Sequence, residues 1–386
     1  GDGVSGIGLP LVATVITRDP LLVAGVETPR FLAIPLFSLL IGVWLDRLDR
    51  RQVKIAADLI RVILFSLLAS TLIFDFLNIF TLYAIAFALG VAELFADGAS
   101  SILIRRLVDK SQLEKAYGRN YTGMLIGDSF VGPPLGGWLF SILNALPFAF
   151  HTVLLGLSAW LLVTLKGEFR AAPQSSTQGV WQETFEGIRY LWSHRVLRTL
   201  AVAAGILGIA TRLTNAIFVL FALERLNLTE AQYGLIGTAF GIGGIVGSMF
   251  ASRVSTRLGK RSTLLLALML TGASYGLLVL TPHIIIVWLL VFVEGFAIIS
   301  WGVVSTALRQ SIVPDELLGR VAGGQQFLAA GLSPLGGLLG GVLAKGLGLE
   351  APFIVGLALT ISAALWLLMS ISQHHIANMS SDKKAR

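Results

Sequence analysis

The chain has 386 residues, 55% of them hydrophobic and 13% charged, where soluble domains carry roughly 25% charged residues. With a mean hydropathy of +0.80, this composition excludes a water-soluble fold and specifies a polytopic membrane protein. The net charge of +7 does not imply nucleic acid, because the basic residues sit where membrane topology puts them, and the absence of cysteine excludes disulfides and thiolate metal sites.

Apolar segments fall at 3–17, 22–45, 53–74, 79–103, 121–143, 148–165, 199–222, 232–252, 262–281, 284–307, 321–344 and 351–371. A bilayer core of about 30 Å needs roughly 20 helical residues. Backbone groups in lipid must bond internally, so runs of this length are helical. The expected fold is an all-α integral membrane protein of twelve transmembrane helices. The first span is already under way at residue 1. From Asp2 to Arg18 is about 24 Å of helix at 1.5 Å per residue. Asp2 is therefore expected inside the bilayer, and a short N-terminal piece of the native protein is expected to precede it. The first span does not have the form of a signal peptide.

Of the 29 Lys and Arg, Arg18, Arg225 and Lys345 lie on one side, and Arg30, Arg61 and Arg212 lie within spans. The others share the opposite side. By the positive-inside bias both termini are expected to be cytoplasmic.

Residues 166–198 separate six spans from six. The expected organisation is a lobe at 1–165, a linker at 166–198, a second lobe at 199–372 and a tail at 373–386. After a Pro/Ser/Gln stretch, Trp181, Phe185, Ile188 and Trp192 recur at helical spacing, which predicts an amphipathic helix on the membrane face. A plain solvated connector is the alternative.

The halves repeat. Ser252–Arg261 aligns on Gly42–Arg51 at an offset of 210, with Arg257, Lys260 and Arg261 on Arg47, Arg50 and Arg51, and Thr256 in place of Asp46. Pro134-Leu135-Gly136-Gly137 recurs as Pro334-Leu335-Gly336-Gly337. Such repeats mark transporter halves that rock about a central site.

The stretch Gly42-Val43-Trp44-Leu45-Asp46-Arg47-Leu48-Asp49-Arg50-Arg51 resembles the loop between the second and third helices of the major facilitator superfamily. Asp49 stands where that family usually has glycine. Arg309 to Val321, Glu93-Leu94-Phe95-Ala96-Asp97 and Gly1-Asp2-Gly3 are similar to a subgroup containing enterobactin exporters and macrolide or multidrug efflux permeases. The resemblance covers the whole chain. It implies two pseudo-symmetric six-helix lobes, alternating access, an inner (plasma) membrane location, a monomer, and a cavity lined by spans 1, 4, 7 and 10. Gly42, Asp46, Arg47, Arg50 and Arg51 would then form a conformational latch. Gly132-Pro133-Pro134-Leu135-Gly136-Gly137 is similar to the glycine-proline motif of drug/proton antiporters. There Gly132, Pro133, Gly136 and Gly137 would form a seal in span 5, although the copy in span 11 also fits generic packing.

Ionisable residues within spans are functional candidates by default. Asp128 lies about 13 Å of helix beyond Arg119, and Glu294 is also near mid-depth. Glu93 and Asp97 share a helix face. Asp128, Glu93, Glu294 and Asp2 are the candidates for proton coupling, because burial out of water favours the neutral form of a carboxyl group. For each, pairing with an intramembrane arginine is the competing role. Arg212 and Asp97 are candidates for contact with substrate. Glu27/Arg30 and Asp58/Arg61 are spaced for local i,i+3 ion pairs. Trp138, Trp160, Trp288 and Trp301 fit a lipid-facing belt better than a stacking site.

Enzyme signatures are absent. His374-His375 lacks the i,i+4 spacing of a zinc helix, and no Gly-rich loop ends in Lys-Ser/Thr, so neither metal nor ATP is expected. The expected activity is proton-coupled export of an amphiphilic small molecule such as a drug, macrolide or siderophore-like compound. An importer or lipid flippase on the same scaffold is the alternative, and a membrane enzyme or sensor is a more distant one.

Overall fold

The computed structural model describes residues 1–109, 112–165, 180–314 and 317–370, without the side chains of 35, 38–40, 42, 43, 46, 47, 105, 106, 114, 180–184 and 326–333. Among the described residues all regular structure is helical. Twelve long segments match the twelve apolar runs. They are α1 (Asp2–Ile16), α3 (Glu27–Arg47), α4 (Arg50–Ile73), α5 (Ile79–Leu107), the composite α6 (Leu113–Met124) and α7 (Gly132–Ile142), α8 (Leu146–Thr164), α10 (Arg195–Leu220), α11 (Glu230–Leu258), α12 (Lys260–Leu280), α13 (Ile284–Ile312), α14 (Leu318–Leu347) and α15 (Ala351–Ser370). The short α2 (Pro20–Ala24) and the linker helix α9 (Val180–Ser193) complete the list. Among the described residues, eight helices are long and apolar enough to cross a membrane by length and composition. α1 begins at residue 2, and α6 is separated from α7 by a π-helical stretch, Leu125–Val131.

The second apolar run is not one helix. Pro29 has no N–H to return to the Gly25 carbonyl. Thr28 N–H bonds that carbonyl instead, at 3.2 Å, and the chain breaks between Ala24 and Glu27. Helix starts elsewhere are set by side-chain caps. Asn78 accepts from Thr81 N–H, and Thr229 and Gln232 cap α11 reciprocally.

Contacts group the chain into two units, Gly1–Thr177 with Ala222–Thr238, and Gln178–Phe221 with Ala239–Arg386. In the first unit α1 packs on α7 and α8, α3 on α5, and α4 on α5 and α8. In the second, α10 packs on α14 and α15, and α12 on α13 and α15. Gly243 and Gly247 of α11 lie against Phe292 and Phe296 of α13. Counted from the start of each half, the same helices pair in both units.

The repeated loop is built two ways. In the first half Asp49 has a φ of −69° and its carboxylate caps α4, accepting from the N–H groups of Arg51 (2.9 Å) and Gln52 (3.2 Å). At the aligned position Gly259 has a φ of +84°, which an L side chain rarely adopts, and caps nothing with a side chain. Asp49 therefore replaces the family glycine by supplying a cap where glycine supplies a turn.

The last arginine of each copy does the same task. Arg51 Nε donates to Leu162 O at 2.8 Å and its NH2 to Val163 O at 2.5 Å, at the C-terminal end of α8. Arg261 NH2 donates to Leu368 O of α15 at 2.8 Å. A cation bonding the last carbonyls of a helix is favoured by its dipole. Arg51→Met and Arg261→Met are each expected to destabilise the protein by about 1–2 kcal/mol, since each removes charge-assisted bonds at a partly exposed site. Thermal unfolding in detergent would check this, and no loss in either variant would make the bonds incidental.

α9 is helical where an amphipathic helix was expected. Leu191, 1% exposed, packs with Leu197, Val313 and Val321. Gly187 lies against the Arg320 backbone, and Glu186 pairs with Arg320 at 2.6 Å. Phe185 and Trp192, from the expected apolar stripe, are exposed. The helix thus presents one face to its unit and the opposite, aromatic face outward.

Candidate functional site

The predicted acidic residues fall into three environments. Glu294 is buried in α13 at 5% exposure. The Tyr275 hydroxyl of α12 donates to its Oε1 at 3.0 Å and stands 3.5 Å from Thr211 Oγ1 of α10. Among the described residues no cation lies within ion-pair distance of Glu294. Gly295 abuts the Phe240 backbone and Gly356 abuts the Tyr275 ring, so helix backbones close the site on both sides. Thr214, also buried, completes the α10 wall and bonds Ala210 O at 3.1 Å. The result is a carboxyl group with one hydroxyl donor in an otherwise apolar core.

Glu93 is in a different state. Arg30 clamps its carboxylate bidentately, Nε to Oε2 at 2.8 Å and NH2 to Oε1 at 2.7 Å. This corrects the local pairing expected for Glu27 and Arg30, because the planar guanidinium matches both oxygens of a carboxylate across the helix pair α3–α5. Asp97, one turn on, is exposed and has no ion pair among the described residues.

Asp2 belongs to a third cluster. It pairs closely with Arg61 of α4, and His151 Nε2 of α8 lies 3.5 Å from its Oδ1. His151, 1% exposed, holds Ser5 Oγ at 2.8 Å through Nδ1. The Asp58/Arg61 spacing gives only a 3.9 Å contact. Fully buried Asp58 is instead bonded by Lys54 at 2.6 Å and by Ser158 Oγ at 3.1 Å. Lys54, Asp58, Arg61, Asp2, His151 and Ser5 thus form a chain of contacts through α4, α1 and α8. His151, Ser158 and Tyr275 were not legible as site residues, since single polar groups in apolar runs read as core.

Asp128 sits in the π-helical stretch and is exposed. The π geometry has a local cause. Pro133 and Pro134 cannot return N–H bonds to Ser129 and Phe130. Gly132 N–H bonds Gly127 O, one residue further back than in an α-helix, and the freed Phe130 carbonyl accepts from Thr238 Oγ1 at 3.4 Å. Such bulges recur at functional sites. Below it, Gly132 and Gly136 meet the backbone of Gly3 and Val4 in α1, while Gly137 and Pro133 meet Gly234 and Gly237 of α11.

Arg212 is half-buried on α10, its Cβ next to Gly336 of α14. In the loop, Arg50 is buried and its Nε bonds Leu45 O at 3.2 Å. The side chains of Gly42, Asp46 and Arg47 lie outside the described residues. Trp301 is buried in the core of the second unit, whereas Trp138, Trp160 and Trp288 are exposed.

The profile of the transmembrane secretion effector family matches residues 2–386. The multidrug efflux pump Tap of Mycolicibacterium fortuitum is 26% identical over 366 residues, covering 92% of this chain and 88% of that protein. Macrolide efflux protein A of Streptococcus pyogenes is 24% identical over 340 residues, 87% of this chain and 84% of that protein. The crystal structure of a point mutant of the nucleoside transporter NupG has the same fold, with a TM-score of 0.80 at 12% identity, covering 96% of this chain and 95% of that one. The chain therefore belongs to the transmembrane secretion effector family of the major facilitator superfamily, which comprises multi-pass membrane transporters and not enzymes.

Proposed function

We propose that this transporter exports an amphiphilic small molecule of the drug or macrolide class across the plasma membrane in exchange for protons, as a monomer with both termini cytoplasmic. The names of its efflux relatives support the substrate class and direction. The observation that carries the coupling is Glu294, a buried carboxyl group with one hydroxyl partner and no cation among the described residues. An uncompensated charge there is costly, so a proton or a cationic substrate group must alternate at that position.

Asp2 ranks second for proton exchange, because its partners Arg61 and His151 can release it when α1 moves. Glu93, clamped by Arg30, acts as an ion-pair brace between α3 and α5. Asp97, Asp128 and Arg212 serve substrate contact. The Asp46 loop is the latch and the Gly132–Gly137 stretch the seal in an alternating-access cycle of lobes 1–165 and 199–372.

Everted vesicles with an acidic interior provide the test. Addition of macrolides and lipophilic cations should dissipate the gradient only where the protein is present, and labelled compound should accumulate inside. Accumulation without proton movement removes the coupling. Net movement in the opposite direction makes the protein an importer, and movement of phospholipid alone makes it a flippase.

A further inference from the structure

Glu294 and Tyr275 are both buried, so a proton on the carboxyl group needs a path to water. The Tyr275 hydroxyl has one proton and stands between two oxygens, Glu294 Oε1 at 3.0 Å and Thr211 Oγ1 at 3.5 Å. It donates to one of them at a time. Thr211 is free to accept, because its own hydroxyl proton goes to Leu207 O at 2.8 Å. Thr214, three residues on, is buried, and its hydroxyl is spent on Ala210 O and Thr211 O. It gives no outlet from the core.

Thr211 differs from Thr214 in what its other side meets. Gly208, Thr211, Arg212 and Asn215 stand at i, i+3, i+4 and i+7 and share one face of α10. Gly208 and Asn215 are exposed, and Thr211 and Arg212 are half-buried. A Cβ added at Gly208 would meet nothing within 4 Å. This stripe lies near the middle of the span Arg195–Arg225. At that depth, accessible polar and ionisable side chains face water within a helix bundle rather than lipid. Thr211 sits at the edge of the stripe nearest Leu207 and Thr214, at 3.6 residues per turn. One hydroxyl therefore touches both the buried pair and the wet face.

We propose that Tyr275 and Thr211 form the proton route between Glu294 and water. To unload Glu294, its carboxyl proton passes to the Tyr275 oxygen and the Tyr275 proton to Thr211 Oγ1. The Thr211 proton then leaves Leu207 O for a water molecule on the polar stripe. Each hydroxyl oxygen gains one proton as it loses one, so both end neutral. The net change is a carboxylate inside and a proton outside, and loading reverses the steps. The 3.5 Å gap is the wider of the two and has to close toward about 2.8 Å for transfer. Small movements of α10 against α12 thus open and shut the route. The proposal rests on Glu294 as the coupling residue, and its test separates the two.

Proton flux driven by erythromycin or tetraphenylphosphonium, and counterflow of the same compounds, are measured in proteoliposomes of the full chain in H2O and in D2O. Thr211→Val keeps the β-branched shape and removes the hydroxyl. It should slow proton flux about fivefold relative to counterflow, the weight of one hydrogen bond of about 1 kcal/mol. It should also enlarge the solvent isotope effect on the flux, because proton transfer becomes the slow step. Thr211→Ser, which keeps a hydroxyl, should restore both. Combined with Tyr275→Phe, Thr211→Val should add no further slowing, since one route is already cut, whereas independent effects would multiply to about 25-fold. Thr211→Ala replaces Thr211→Val if the latter fails to fold. Wild-type flux without the Thr211 hydroxyl means that protons reach Glu294 another way, and overturns the route. Equal slowing of flux and counterflow with an ordinary isotope effect makes Thr211 a packing residue, and overturns it too. If Glu294→Gln couples like the wild type, the coupling residue is wrong and the route falls with it. If Glu294→Gln is uncoupled and Thr211→Val is not slowed, the route alone falls.

Discussion

Glu294→Gln is expected to reduce compound-driven proton flux and uphill export to the level of empty vesicles, while counterflow of substrate across the membrane persists. The substitution keeps shape and the hydrogen bond. Gln Oε1 still accepts from the Tyr275 hydroxyl, which now lies 3.0 Å from Glu294 Oε1. What is lost is the ability to bind and release a proton. Glu294→Ala is the wrong test, because it leaves a cavity beside a buried hydroxyl that keeps only its 3.5 Å contact with Thr211, and costs stability for that reason alone. Tyr275→Phe should slow export about fivefold with coupling intact, since it removes one buried hydrogen bond of about 1 kcal/mol and keeps the ring. Retained folding is read from size-exclusion profiles in detergent. Coupled export by Glu294→Gln at the wild-type rate would make the residue a packing carboxyl and move Asp2 to first place.

The helix inventory was legible because lipid removes ambiguity. A run of about 20 apolar residues has no alternative to a helix, and the repeat that aligns Arg261 on Arg51 reappears as two arginines capping equivalent helix ends. Ion pairing was not legible in the same way. Spacing favours Glu27 with Arg30 and Asp58 with Arg61; the second pair forms at 3.9 Å, but Arg30 reaches Glu93 and the closer partner of Arg61 is Asp2. A neighbour one turn away competes with any carboxylate that packing brings across a helix pair, and the sequence does not contain that packing. The π-helical stretch was implicit in Pro133-Pro134, since two missing N–H groups must distort the helix before them. The hydroxyls around Glu294 were hidden, as Tyr275 and Thr211 lie in apolar runs and acquire a role only from three helices meeting. The Asp46 latch is the most specific motif in the sequence, but the side chains of Asp46 and Arg47 lie outside the described residues.

Gly137→Ala is expected to destabilise the protein by about 2 kcal/mol, the cost of forcing a methyl group into a closed contact. An added Cβ would lie 2.5 Å from Glu230 O and 2.9 Å from the Gly234 Cα. Both are backbone atoms of α11, so no side-chain rotation relieves the clash and the helices must separate. Close approach of this kind is what small residues provide in membranes. Gly123→Ala in α6 is the matched control, because nothing lies within 4 Å of its added Cβ. Alanine is favoured over glycine in a helix by up to about 1 kcal/mol, so Gly123→Ala should be neutral or slightly stabilising. The two substitutions are chemically identical and differ in sign only through the neighbours. Thermal unfolding of the two variants side by side measures the difference. If Gly137→Ala is as stable as Gly123→Ala, α7 and α11 are not in backbone contact in the protein as it folds. If it is destabilised and proton leak in vesicles without substrate also rises, the same glycine that lets the helices touch is what keeps the membrane sealed there.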